Sequence, residues 1–246
     1  MFKESDISTT GKSKPESRGG YENSGLALEY EYFGPMNKLA YAKLIDEYMH
    51  PDIYKLAPEG AYTPEQVEQI MERRSKMRLD YSDSFADSCY INYKDAMSMV
   101  EKSQLGDPEK PGTFFVAALR KKIADLYGSE YKVLFYTALG SHLDTKHKID
   151  GFFKLYNRTG EEVSSCTLDI TSRIKDNHTA DLVINICNDD RDIYDFDSEN
   201  FNKDSFFQRI DSEALIIKEK FEQNINKGAL AKQAYPKRPK RPRIVR

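Results

Sequence analysis

The residues of this chain best placed to do chemistry are two aspartates on either side of one short turn. Asp150 stands near the head of KIDGFFKLY and Asp169 near the end of VSSCTLDI, and Asn157-Arg158-Thr159-Gly160 lies between them. Asn and Gly suit a tight turn, and the β-branched and aromatic runs beside them suit strands, so the segment reads as an antiparallel hairpin. If the turn centres near residue 159, paired residue numbers sum to roughly 318 or 319, which sets Asp150 opposite about residue 169. Carboxylates held side by side repel unless a positive charge lies between them. A divalent cation meets that need. Mg²⁺, or Mn²⁺ in its place, prefers hard oxygen ligands, keeps several waters, and needs one or two protein carboxylates plus substrate phosphate. Period two also sets Lys148 on the face of Asp150 and Thr171 on the face of Asp169. A lysine there would orient a metal-bound water or steady charge developing on phosphorus. The competing reading is a pair of strand-end acids neutralised at the surface by Lys148 and Arg173.

Other polar groups are less suited. His142, His147 and His178 fall nearby, but His142 and His147 are five residues apart in a segment expected to be loop, which is not a zinc spacing. One of the three is better read as a phosphate contact or a solvated ring, and Asp144 as a supporting acid. Asp189, Asp190, Asp192, Asp195 and Asp197 lack the glycine and glutamate of a calcium loop and read as a solvated acidic segment. Cys89, Cys166 and Cys187 show no zinc or disulfide spacing and read as reduced, buried thiols.

The elements that must position the aspartates follow from periodicity. Residues 1–24 are rich in Ser, Gly, Lys and Glu and read as a flexible arm. Residues 25–106 read as a helical region, with one helix from about Asn37 to Pro51, one opened by the capping Thr63 and Pro64, and one over about 94–102. The Gly/Pro cluster at 106–112 marks a candidate boundary. Beyond it, Thr113 caps a helix stopped by Gly128, and strands follow over 131–138, 148–156, 163–170 and 181–187. A final helix covers about 203–226. The order predicts an α/β domain over 112–228, and residues 229–246 form a basic tail.

SHLDTKHKIDGFFKL, a turn, and then CTLDITSRIK resemble the active-site hairpin of the PD-(D/E)XK nuclease superfamily. The resemblance covers about residues 112–226. It implies a restriction-endonuclease-like core, a mixed four-stranded sheet flanked by helices, with metal held by an acid on the second core strand and another on the third. Asp150 fills the first position and Asp169 the second. Thr171 stands where the family usually has lysine, which leaves Lys175, Lys148 or Lys154 to supply the amine. The family also crosses from third to fourth strand through a helix, and the link over 171–180 is short for one. A third acid on the first core helix would be Asp125, or else the more distant Glu101.

The chain carries 37 Lys and Arg against 40 Asp and Glu. Seven of the basic residues, and no acid, lie in 232–246, so positive charge is concentrated in the tail. Lys237, Arg238, Lys240, Arg241 and Arg243, spaced by prolines, form an extended cationic segment suited to nucleic acid, an import receptor or an acidic protein partner. No run is long and apolar enough to span a bilayer and the start lacks a signal-peptide core, so the expected compartment is the cytosol or nucleus. The leading expectation is a metal-dependent endonuclease or exonuclease acting on DNA or RNA. Its rivals are a non-catalytic nucleic-acid-binding protein with a nuclease-like fold, and an adaptor that works through its tail and helical half.

Overall fold

The computed structural model describes residues 24–49, 90–171, 179–186 and 201–234, together with 63, 65–66, 68–70 and 72–73. Its centre is one mixed sheet of four strands, β1 (Tyr131–Thr137), β2 (Gly151–Asn157), β3 (Glu162–Thr171) and β4 (Leu182–Asn185), in the order β1-β2-β3-β4. β2 runs antiparallel to β1 and β3, and β4 is parallel to β3. A parallel β4 cannot be joined to β3 by a tight turn; residues 172–178 between them lie outside the described residues.

Strand alternation divides the core into two layers. Val133, Phe135, Phe153, Leu155, Cys166, Leu168 and Ile170 face one way. They are covered by α1 (Ser24–Phe33), by α4 (Phe114–Tyr127) and by α6 (Lys203–Ala234), which contributes Phe206, Ile210, Ala214, Ile217 and Phe221. Leu134, Tyr136 and Phe152 face the other way, against α2 (Lys38–Met49), α3 (Tyr93–Lys102) and α5 (His142–His147). The helices before the Gly/Pro cluster therefore share both cores with the sheet: Tyr32 and Phe33 join one, Tyr41, Ala96 and Val100 the other. Thr113 fixes this junction by donating to the Tyr32 carbonyl at 2.5 Å rather than by capping α4 with its side chain.

Local signals account for most element ends. Asn37 accepts from Ala40 N at 3.0 Å and starts α2, and Asn92 accepts from Asp95 N at 3.0 Å and starts α3. Gly128 ends α4 with φ +68, where a side chain would be strained. Thr63 and Gln66 exchange backbone-to-side-chain hydrogen bonds of 2.9 and 3.3 Å, so Gln66 returns the cap that Thr63 was expected to make.

Three expectations change. Residues 142–147 are a helix rather than a loop, because Ser141 Oγ accepts from Leu143 N and Asp144 N and starts a turn that the sequence period did not announce. Consequently β2 begins at Gly151, not at 148. α6 runs through Gly228 to Ala234, past the expected stop. Cys166 is a free, buried thiol whose pKa burial pushes up. Cys89, Cys187 and His178, the acidic run at 189–197 and the cationic residues Lys237 to Arg243 lie outside the described residues. Among the described residues no helix is long and apolar enough to cross a membrane.

Candidate functional site

β2 and β3 pair in a constant register from Gly151↔Leu168 to Leu155↔Ser164. Carried one residue past Gly151, that register sets Asp150 beside Asp169, as the hairpin arithmetic requires. Both are buried, at 4% and 3% exposure. Alternation puts them on the layer of Phe152 and Thr167. They sit at the end of the sheet where β1, β3 and β4 finish and β2 begins.

Backbone geometry fixes Asp150 tightly. Its N–H donates to the Leu168 carbonyl at 2.9 Å and its carbonyl accepts from Ala138 N at 2.8 Å. Ile149 turns away, donating to Leu143 O at 3.2 Å, and Asp150 Oδ2 accepts from Ile170 N at 2.8 Å. The carboxylate thus satisfies a β3 donor at the point where β2 has not yet started.

Burial pushes the Asp150 carboxyl up to about 8, against the Ile170 hydrogen bond, and the charges of Glu29, Asp169 and Asp144 push the same way. Negative charge from three other elements, α1, β3 and α5, therefore converges on this carboxyl. Asp144 also accepts from Gly140 N at 2.8 Å, which ties α5 to the loop after β1. Glu29 was not legible as a site residue. Its signal, an acid in a short aromatic helix near the end of the presumed arm, means nothing until tertiary packing brings α1 to the sheet end. The two acids considered from sequence do not join: Asp125 is exposed on α4, and Glu101 bonds Lys154 at 2.7 Å.

The lysines are placed differently from the expectation. Lys148 is not on a strand; it caps α5 in the left-handed conformation, φ 59 and ψ 47, and its Nζ donates to the Thr145 carbonyl at 2.9 Å. Its amine is used by the helix end rather than aimed at the aspartates. Lys154 does share their layer, but its buried Nζ lies 2.7 Å from Glu101 and 2.5 Å from Glu162. Lys175 and Arg173 lie outside the described residues. Thr171 is buried at the end of β3, and its carbonyl accepts from Ile186 N at 2.8 Å.

His142 is buried beside this corner. Its backbone N–H donates to the Tyr41 hydroxyl at 2.9 Å, and that hydroxyl also lies 3.2 Å from ring Nδ1. The other ring nitrogen, Nε2, is buried with no hydrogen-bond partner among the described residues. His147 Nε2 meets the Ile91 carbonyl at 3.2 Å against the rings of Tyr90 and Tyr93.

The donor set fits a hard divalent cation in the two-carboxylate form that leaves room for waters and substrate. It is not a cage: among the described residues no three His, Cys, Asp or Glu side chains gather closely enough to hold an ion by themselves. No family model, curated protein or solved structure matches this chain.

Proposed function

We propose that the chain is a metal-dependent phosphodiesterase of nucleic acid, an endonuclease or exonuclease, with a restriction-endonuclease-like core. The observation that carries this reading is the buried pair Asp150 and Asp169 at one sheet end, with Glu29 and Asp144 adding to the negative field on Asp150. Two adjacent buried carboxylates, with Glu29 and Asp144 adding negative charge from further off, favour a cation in this low-dielectric corner. The strand order supports the core assignment, since a hairpin carrying both acids is followed by a parallel fourth strand.

In this reading Asp150 and Asp169 would hold Mg²⁺ or Mn²⁺, which when bound supplies an acidified water and a Lewis acid for the phosphate oxygen. The chain's own part is positional. Asp150 is fixed by its backbone bonds to Ala138 and Leu168 and by Ile170 N, so one carboxylate oxygen is committed to the fold and the other is left for ligation. Asp144, held by Gly140 N, keeps the corner acidic. The tail residues Lys237, Arg238, Lys240, Arg241 and Arg243 would add sequence-independent affinity that an acidic body lacks.

A second reading is favoured by Thr171 and by the carboxyl pushed up to about 8: a neutral Asp150 that caps β3, in a non-catalytic nucleic-acid-binding or adaptor protein. Titration calorimetry with Mn²⁺ at pH 8, on the wild type and Asp169→Ala, separates the two. The nuclease reading requires saturable binding that the variant loses, followed by Mg²⁺-dependent cleavage of labelled DNA or RNA.

A further inference from the structure

The buried Ile91 stands between two tyrosines that the fold leaves in solvent, Tyr90 at 77% exposure and Tyr93 at 42%. Both rings meet the imidazole of His147 on α5. The Tyr90 centroid lies 6.5 Å from it at an interplanar angle of 57°, and the Tyr93 centroid 5.7 Å from it at 79°. Neither pair is stacked face to face, so most of the Tyr90 ring stays open. The backbone beneath is fixed: His147 Nε2 meets the Ile91 carbonyl at 3.2 Å, and Asn92 Oδ1 accepts from Asp95 N at 3.0 Å as the cap of α3. Two elements thus hold one rigid aromatic shelf, and the exposed Lys94 and Lys146 adjoin it in the chain. Only Lys148 and Ile149 separate His147 from Asp150. That link keeps the two Cα atoms within about 11 Å of each other. Ile91, Leu143 and Ile149 pack with Phe152, so the shelf covers the sheet layer on which Asp150 lies.

We propose that Tyr90 and Tyr93, propped by His147, are a stacking surface for the unpaired bases of single-stranded nucleic acid, with Lys94 and Lys146 meeting its phosphates; as the account of a substrate, this rests on the nuclease reading above. A lone exposed tyrosine needs no explanation. Two on a fixed backbone, braced by a third ring and flanked by cations, match the way single strands are held. Every base has a π-face, so stacking is indifferent to sequence, while ammonium groups alongside answer the charge of the backbone. A duplex keeps its bases stacked on one another and offers the shelf only its outer surface. An apolar peptide would cover the rings and leave the lysines unused. The short link to Asp150 sets a strand on the shelf beside the sheet end that carries both aspartates, which names single-stranded regions as the substrate class.

The chain has no tryptophan, so Tyr90→Trp in the full chain puts a single indole emitter on the shelf. Its emission is followed in chelator as a short single-stranded DNA, or the matched duplex, is titrated in, with occupancy read from the anisotropy of a label on the DNA. The cations of the tail bind either form, so emission and not affinity alone reports the shelf. Single-stranded DNA should quench the emission, and the duplex at equal occupancy should not. Tyr90→Ala should weaken single-strand binding at least about fivefold and leave duplex binding unchanged, while Tyr90→Phe binds as the wild type does. Melting temperatures should agree, since Tyr90 is mostly in solvent. A single strand that binds without quenching overturns the inference and leaves the rings to a protein partner. It is overturned as well by a duplex that quenches equally, by a Tyr90→Ala protein that binds single strands as the wild type does, or by a wild type that binds none. The nuclease reading fails separately: a wild type that binds no Mn²⁺ and cleaves nothing, yet shows the quench in Tyr90→Trp, keeps the shelf as a binding surface and loses the catalysis. Mg²⁺-dependent cleavage of single strands by Tyr90→Ala with the KM of the wild type removes the shelf and keeps the nuclease.

Discussion

Replacing Asp150 by Asn separates the stability of the corner from its chemistry. Asn keeps the shape and the oxygen that accepts from Ile170 N, and removes the charge. In the wild type the Asp150 carboxyl is raised from 3.8 to about 8, first by burial and then by Glu29, Asp169 and Asp144. The native state therefore keeps a proton that the unfolded chain releases, so stability without metal is greatest in mild acid and falls as pH rises from about 4 to about 8. Each pH unit in that window costs about 1.4 kcal/mol. From pH 5 to pH 8 the loss reaches about 4 kcal/mol. Asp150→Asn abolishes this slope. For a chain of this size, about 2–4 °C per kcal/mol turns the difference into roughly 8–16 °C in melting temperature. Differential scanning calorimetry in chelator at pH 5 and pH 8 should show the variant gaining on the wild type across that interval, and the gain should level off above pH 8. Saturating Mg²⁺ or Mn²⁺ at pH 8 should raise the wild type by linkage and leave the variant where it was. Parallel pH curves for the two proteins would refute the reasoning, since Asp150 would then ionise without cost in the folded state.

Asp169→Ala, and Asp150→Ala beside it, should abolish cleavage while the fold persists, checked by circular dichroism and a gel-based nuclease assay. His142 has its pKa lowered by burial and by the charges of Lys146 and His147, so its contribution to stability is complete above about 6.5 and is lost as pH falls below that value. His142→Gln should flatten this acid limb in urea titrations at pH 5 and 7. Lys148→Gly should stabilise the protein by about 0.5–1 kcal/mol, because φ 59 is strained for a side chain, and should leave turnover unchanged. Removing residues 235–246, with six of the tail's cations, should weaken nucleic-acid binding at least tenfold at about 0.1 M salt and make its salt dependence shallower.

The hairpin was legible because its signals are local. Period-two runs defined β2 and β3, and Asn157 and Gly160 fixed the turn, from which the register near 319 and the meeting of Asp150 with Asp169 follow. Asn157 Oδ1 in fact accepts from Thr159 N and Glu161 N, 3.0 and 2.9 Å, so the residue chosen as a turn former builds the turn with its side chain. What local reading missed depends on neighbours distant in sequence. α5 has too few residues for an apolar period to show, and its one signal, Ser141 ahead of Asp144, is shared by many loops. Treating it as loop extended β2 backwards and placed Lys148 on the wrong element. Glu29 could not be found, because nothing in helix α1 says which face meets a sheet end more than 100 residues later. The acids Asp125 and Glu101 were plausible by element type alone, and packing sent one to solvent and the other to Lys154.

The register of β2 and β3 slips between Leu155 and Tyr156, on the turn side of an otherwise constant ladder. A bulge there absorbs a change in chain length before it reaches the strand ends. The aspartates lie about 25 Å away at strand rise, so an insertion at the turn does not have to re-pair them. Arg158, Thr159 and Gly160 are exposed at that turn. They make the hairpin tip a suitable place to insert a peptide epitope or a dye-accepting cysteine, giving a reporter on the same two strands that carry the carboxylates.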